Sequence, residues 1–243
     1  MTNRAEHIGI VACSAEGAAL CYRTLCAEAE QVMGRHDHPE ISMHTHSLAE
    51  YMRCVEADNW PGVAELMLSS AAKLAKCGAD FLICPDNTIH RVMPLVRPRS
   101  PLPWIHIAGA VGDEAVARGF RQLGITGTRY LVESSVYPEE LEKRGLGWLR
   151  PQETERERIN TIIFDELVRG QFTAEALKDL QEVIENLKRR GCDAVVLGCT
   201  EIPLLINDAN SPLPSLDSTR LLARAALRRA TQEKVARTSL ADA

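Results

Sequence analysis

Gly191-Cys192-Asp193-Ala194-Val195-Val196-Leu197-Gly198-Cys199-Thr200-Glu201-Ile202-Pro203 decides the fold. Its apolar run of β-branched residues and Leu, entered through Gly and Asp, reads as a buried parallel strand. Gly198 lets the backbone turn, and Cys199 and Thr200 follow where the strand ends. Ligands of open α/β sheets sit at the carboxyl ends of strands, so Cys199 is not placed like a core cysteine.

The same phrase occurs once earlier, as Gly78-Ala79-Asp80-Phe81-Leu82-Ile83-Cys84-Pro85-Asp86-Asn87-Thr88-Ile89-His90. The two align without a gap, and the alignment pairs Asp86 with Cys199. Each follows an amphipathic, helix-like stretch, 63–76 and 174–190. A weaker correspondence links Ile8-Gly9-Ile10-Val11-Ala12-Cys13-Ser14 with Leu123-Gly124-Ile125-Thr126-Gly127-Thr128-Arg129. The chain reads as two related halves, each with two strands ending in polar or reactive residues. Halves that face each other would put Asp86 and Cys199 on opposite sides of one cleft.

The remaining segments fit this scheme. Strands are expected at 8–12, 41–46, 104–107, 121–128 and 145–149. Helices are expected from Ser14 to about Glu30, from Gly112, over 139–144, from Glu155 to Gly170, and from Leu221 to about Glu233, with 234–243 a frayed tail. Alternating strands and helices give a parallel α/β architecture. The stretch 51–59 reads as a polar connector carrying Arg53. Pro94 to Pro103, rich in Pro and Arg, is the expected crossing between halves. One half is then 1–98 plus about 211–243, and the other 99–210.

Composition narrows the function. The 243 residues are 45% hydrophobic with a formal charge of −5. That balance argues against a nucleic-acid partner or a membrane surface, which need a clustered basic face. No apolar stretch approaches the ~20 residues that span a bilayer. Arg4, Glu6 and His7 precede no apolar run, so no secretory signal is expected. Eight cysteines without a CxxC pair read as reduced thiols of a cytoplasmic protein. Neither G-x-G-x-x-G, a Walker loop nor G-x-S-x-G is present, and no Lys stands in a Schiff-base context.

Ser14 is a fair helix N-cap, and the same helix N-terminus could let Cys13 and Ser14 hold a substrate carboxylate. His44 and His46 share one strand face but have no further ligand nearby, so hydrogen bonding at the sheet edge is expected rather than zinc. Most cysteines of such a chain are packing residues, and Cys21, Cys26, Cys77 and Cys192 are read so. Cys199 is the exception, as nucleophile or acid/base. Asp86, Asn87 and Thr88 form a row of polar groups leaving an apolar strand, which the match to the Cys199 turn marks as functional.

These features together resemble the cofactor-independent aspartate/glutamate racemase family, with its hydantoin racemase, maleate isomerase and arylmalonate decarboxylase relatives. The resemblance is carried by the opening strand with Ser14-Ala15-Glu16, by Asn87-Thr88-Ile89-His90, by Gly127-Thr128-Arg129, by Gly198-Cys199-Thr200-Glu201-Ile202-Pro203 and by Asp217-Ser218-Thr219-Arg220. It implies two pseudo-symmetric parallel α/β domains with the active site in the cleft between them, no cofactor, no metal, a small carboxylate or amino-acid substrate, and a homodimer. The family's racemases use two cysteines, one on each face of the substrate α-carbon. Cys199 matches the second. The first should directly precede Asn87, where this chain has Asp86; Cys84 lies two residues earlier and would point elsewhere.

A free carboxyl titrates near ~4 and a thiol near ~8.5, so the resting pair is an Asp86 carboxylate and a Cys199 thiol. Such a pair favours deprotonation from one face. Alternatively Asp86 binds the substrate ammonium and Cys199 works alone. The resemblance further implies substrate binding by Ser14, Asn87, Thr88, Thr128 and Thr200, of which Asn87, Thr88 and Thr200, with Ser14, would stabilise the oxygens of an enediolate. Arg169 would hold a second carboxylate, or be a solvated helix-end charge. The expected function is an amino-acid racemase or epimerase working through Asp86 and Cys199. The alternatives are a decarboxylase with Cys199 as sole proton donor and an inactive amino-acid-binding homologue.

Overall fold

A computed structural model of the protein describes residues 4–241, with side chains as far as Thr231. The chain forms two compact units, Met1–Ile107 with Leu222–Ala243, and Ala108–Leu221.

The first unit is built on three parallel strands, β1 (Ile8–Ala12), β2 (Ile41–Thr45) and β3 (Phe81–Ile83), in the order β2-β1-β3. Every residue of central β1 is buried, as a parallel strand covered on both faces requires, while edge strand β2 is half-exposed. Gly9 lets β1 lie close to its neighbour, since a Cβ there would stand 2.6 Å from the Leu82 side chain. Helices α1 (Ala15–Met33), α2 (Leu48–Glu56) and α3 (Trp60–Lys76) belong to this unit, with a 3₁₀ turn at Thr88–Val92, short α4 (Met93–Val96) and a 3₁₀ turn at Arg97–Arg99.

The second unit opens with α5 (Ile107–Ala117) and holds parallel strands β4 (Gln122–Thr126), β5 (Gly147–Leu149), β6 (Ala194–Leu197) and β7 (Ser215–Asp217), in the order β5-β4-β6-β7. Its helices are α6 (Arg129–Val132), α7 (Val136–Glu142), α8 (Glu153–Thr161) and α9 (Ala174–Arg189). α9 is capped by Thr173, whose hydroxyl accepts from Ala176 N at 3.0 Å. It buries Ala176, Leu180, Val183, Ile184 and Leu187, an apolar stripe of helical spacing. α8 passes through a π turn at Ile162–Glu166 and a 3₁₀ turn at Leu167–Arg169, and ends at Gly170 with φ 73°.

The duplication extends into the hydrogen bonds. Asp80 and Asp193, aligned in the two phrases, each tie the reactive strand to the start of the central one. Asp80 accepts from His7 N at 2.6 Å, and Asp193 from Arg121 N and Gln122 N at 2.7 and 3.1 Å. Beyond the reactive strand, Leu82 N donates to Pro103 O and Val195 N to Pro214 O, both at 2.9 Å. In the first unit, however, the expected strand at 104–107 is reduced to one bridge between Leu82 and Trp104.

Other expectations are corrected. The supposed connector 51–59 is mostly α2, whose buried face includes Tyr51 and Val55. β7 pairs with β6, so the return to the first unit falls at 221/222 rather than near 211, and the outward crossing at 107/108 rather than within Pro94–Pro103. The final helix, α10, runs Ser218–Ala241, which replaces the frayed tail up to Ala241; residues 242–243 lie outside the described residues. Cys77 is exposed at the end of α3 and is not a packing residue.

Candidate active site

In the first unit, β3 ends at Ile83 and the chain leaves through Cys84-Pro85-Asp86-Asn87. The His90 ring reaches back to donate from Nε2 to the Cys84 carbonyl at 2.9 Å, and stacks edge-on against His106 at 4.5 Å. Asn87 is buried, and Asp86 and Thr88 are half-buried. Cys13, directly after β1, is buried with its thiol hydrogen-bonded to the Asp86 carboxylate. Burial pushes the Cys13 thiol far up, and the neighbouring Asp86 and Cys84 add to this. Cys84 is wholly buried and is raised in the same way, by burial first and then by Asp86. The Tyr51 phenol, brought in by α2, is raised by burial and then by the two thiols. The Cys13 thiol on the Asp86 carboxylate, the Cys84 thiol and the Tyr51 phenol therefore keep their protons.

In the second unit, Gly198 ends β6. Its N–H donates to Thr126 O at 2.9 Å, and a Cβ on it would lie 2.6 Å from that same carbonyl oxygen. Only glycine fits so close to backbone. The Ser218 hydroxyl donates to Leu197 O at 2.9 Å and secures the strand end. Cys199 is half-buried, and its thiol donates to Glu201 Oε2 at 2.9 Å. The Thr200 hydroxyl donates to the same oxygen at 2.8 Å. Glu201 is itself buried, so this turn presents a partly open thiol backed by a buried carboxylate. Glu201 stands in the Gly198–Pro203 motif without a role that the sequence alone assigns; the one signal there is its place two residues after Cys199 in a turn.

The other expected site residues take varied places. Ser14 is half-buried and caps α1, accepting from Gly17 N at 3.3 Å. Thr128 is half-buried and accepts from Leu131 N at 3.4 Å at the start of α6. Cys13 is not a substrate-facing anion binder as suggested from sequence, because burial and its bond to Asp86 occupy it. The Arg169 side chain is 66% exposed beside Asp165 at 3.8 Å, the setting of a solvated helix-end charge. His44 and His46 bond to Ser70 and Ser69 of α3 at 3.0 and 3.2 Å. Lys73 Nζ donates to His44 Nε2 at 2.9 Å, and burial, Lys73 and His46 all lower the His44 pKa. Among the described residues no group of His, Cys, Asp or Glu is placed to hold a metal ion, and no helix is long and apolar enough to cross a membrane.

Comparison with known proteins gives one consistent answer. Residues 8–226 match the family described as Asp/Glu/Hydantoin racemase. A crystal structure of a candidate Asp/Glu racemase from Yersinia pestis superposes with a TM-score of 0.88 and 29% identity, over 93% of this chain and 100% of that one. An aspartate racemase homologue from Pyrococcus horikoshii OT3 gives a TM-score of 0.82 and 26% identity, over 93% and 99%. The broad specificity amino-acid racemase RacX of Bacillus subtilis is 23% identical over 160 residues, which are 65% of this chain and 68% of RacX.

Proposed function

The chain belongs to the Asp/Glu/Hydantoin racemase family, and we propose that it inverts the α-carbon of a small amino acid, with Asp86 and Cys199 carrying protons on opposite faces of one substrate. The observation that carries this reading is the Cys199 thiol, at the end of β6, with its proton directed onto buried Glu201. The internal repeat supports the partner, because Asp86 occupies the matching turn after β3.

For one enantiomer the Asp86 carboxylate takes the α-proton. The C–H electron pair moves into the substrate carboxylate to form an enediolate, and the Cys199 thiol delivers its proton to the opposite face. For the other enantiomer the Cys199 proton first passes to Glu201 and on to solvent, while Asp86 takes one proton from solvent. The thiolate then takes the α-proton, and protonated Asp86 returns one. Asn87, Thr88 and Thr200, with Ser14 and Thr128, supply donors for the enediolate oxygens. The chemistry needs no cofactor, and the reading includes a cytoplasmic homodimer. The exposed setting of Arg169 favours a substrate without a second carboxylate held there.

¹H NMR of an amino-acid panel in D₂O tests the proposal, since loss of the α-proton signal reports abstraction whatever the product. Cys199→Ala should abolish exchange of at least one enantiomer while circular dichroism stays unchanged; exchange within a few-fold of wild type would refute the assignment. Asp86→Asn should suppress exchange of one enantiomer much more than the other. Equal losses traced to weaker binding would make Asp86 a binder of the substrate ammonium instead.

A further inference from the structure

The two turns share an arrangement that neither the repeat nor the family resemblance announces. Each pairs one thiol with one carboxylate. In the second unit the half-buried member is the thiol of Cys199 and the buried one the carboxylate of Glu201. In the first unit the order is reversed, with half-buried Asp86 backed by the thiol of Cys13, which is only 6% exposed. We propose that Cys13 is a positioning residue for Asp86: its thiol hydrogen bond occupies one side of the carboxylate and sets the direction and proton affinity with which Asp86 meets the substrate. This rests on the assignment of Asp86 as a base.

The placement follows from the fold. Cys13 stands directly after β1 and Cys84 directly after β3, adjacent strands whose register runs from Ile8 opposite Phe81 to Ile10 opposite Ile83. The turn after β3 therefore comes back beside the end of β1. The Cys84 thiol on the same turn donates to the Asp86 backbone carbonyl at 4.0 Å, and the Asp86 charge acts on both Cys84 and the Tyr51 phenol. A thiol so deeply buried stays protonated and can serve Asp86 only as a donor. Donation to the charged form favours the carboxylate over the acid, which offsets the apolar surroundings that favour the acid.

The test is a ¹³C NMR titration of the full chain labelled at aspartate carboxyls, with the Asp86 resonance identified by its loss in Asp86→Asn. Cys13→Ala, and the fuller Cys13→Val should alanine not fold, both remove the donor. Each should raise the Asp86 midpoint by about one unit, and Cys13→Ser should restore it, because a hydroxyl still donates. The acid limb of kcat/KM should move to higher pH by the same amount for both enantiomers, because an equilibrium constant of one ties their kcat/KM values together at every pH. An unchanged Asp86 midpoint in either folded donorless variant would overturn the proposal. A midpoint that moves with neither pH profile following would uphold the hold of Cys13 on Asp86 and overturn instead the assignment of Asp86 as base.

Discussion

Asp86 and Cys199 differ in charge, size and resting protonation, yet each is held from behind by a residue of the other kind. Glu201 is the more consequential of the two supports, because a thiol must lose its proton before it can take another. Glu201→Gln keeps the size and one acceptor oxygen but removes the charge. It should slow α-proton wash-out into D₂O on the order of a hundredfold for the enantiomer whose proton Cys199 takes, within the range of general-base losses. Wash-out from the other enantiomer should change far less. Pre-steady-state exchange of each enantiomer in D₂O would measure both, and equal loss in the two directions would reduce Glu201 to a packing residue. The place of Cys199 at a strand end was legible in the sequence, because a strand, a glycine and a duplicated phrase all ended on it. The contacts of Glu201 with Cys199 and of Cys13 with Asp86 were not, because which neighbour folds back onto a given side chain depends on turn geometry and on strand adjacency.

At the level of elements, the strand ends were read well where glycine or a buried apolar run fixed them. β6 and its turn are an example. Gly198 is there because the Thr126 carbonyl leaves no room for a Cβ. Gly198→Ala should push the turn away from β4 and displace the Cys199 thiol. A 1 Å shift of a reacting group can cost about a hundredfold in rate, whereas the overpacking itself costs about 1–3 kcal/mol. Activity should therefore collapse in a protein that still unfolds cooperatively in urea; near wild-type turnover would show that the turn adapts. Elements whose character depends on a distant partner were read poorly. The α2 segment looks polar because only one narrow stripe of it, with Tyr51 and Val55, is buried. The stretch after Pro103 carries strand-like residues, but it meets its neighbour at one bridge only.

On the scale of the whole chain, the repeat made the two parallel α/β units legible, but not where the chain changes from one to the other. In each half the strand or bridge beyond the reactive strand leads into a helix, and that helix counts with the other unit. Ala108, Val111 and Ala115 of α5 lie in the second unit's core, whereas α10 from Leu222 onward belongs to the first. There Arg224 pairs with Glu28, and Arg229 pairs with Glu6 and covers the Phe81 ring at 4.2 Å. A polypeptide of residues 1–107 should therefore be poorly folded alone, and addition of a peptide spanning 218–241 should restore helical signal and protease resistance. Residues 108–221, a contiguous unit, should fold without help. A stable, monomeric 1–107 would contradict this account.

That exchange of helices sets an order of events during synthesis. Ribosomes deliver the amino end first, so β1, β2 and β3 exist before the helix that completes their unit. They wait for roughly 110 further residues, the span of the second unit. At about 5–20 residues per second the delay is on the order of ten seconds. Through that interval the first unit lacks the contacts that Arg224 and Arg229 make to Glu28, Glu6 and the Phe81 ring, and the half carrying Asp86 should be the more open to chaperones and proteases. The half carrying Cys199 matures earlier although it is made later.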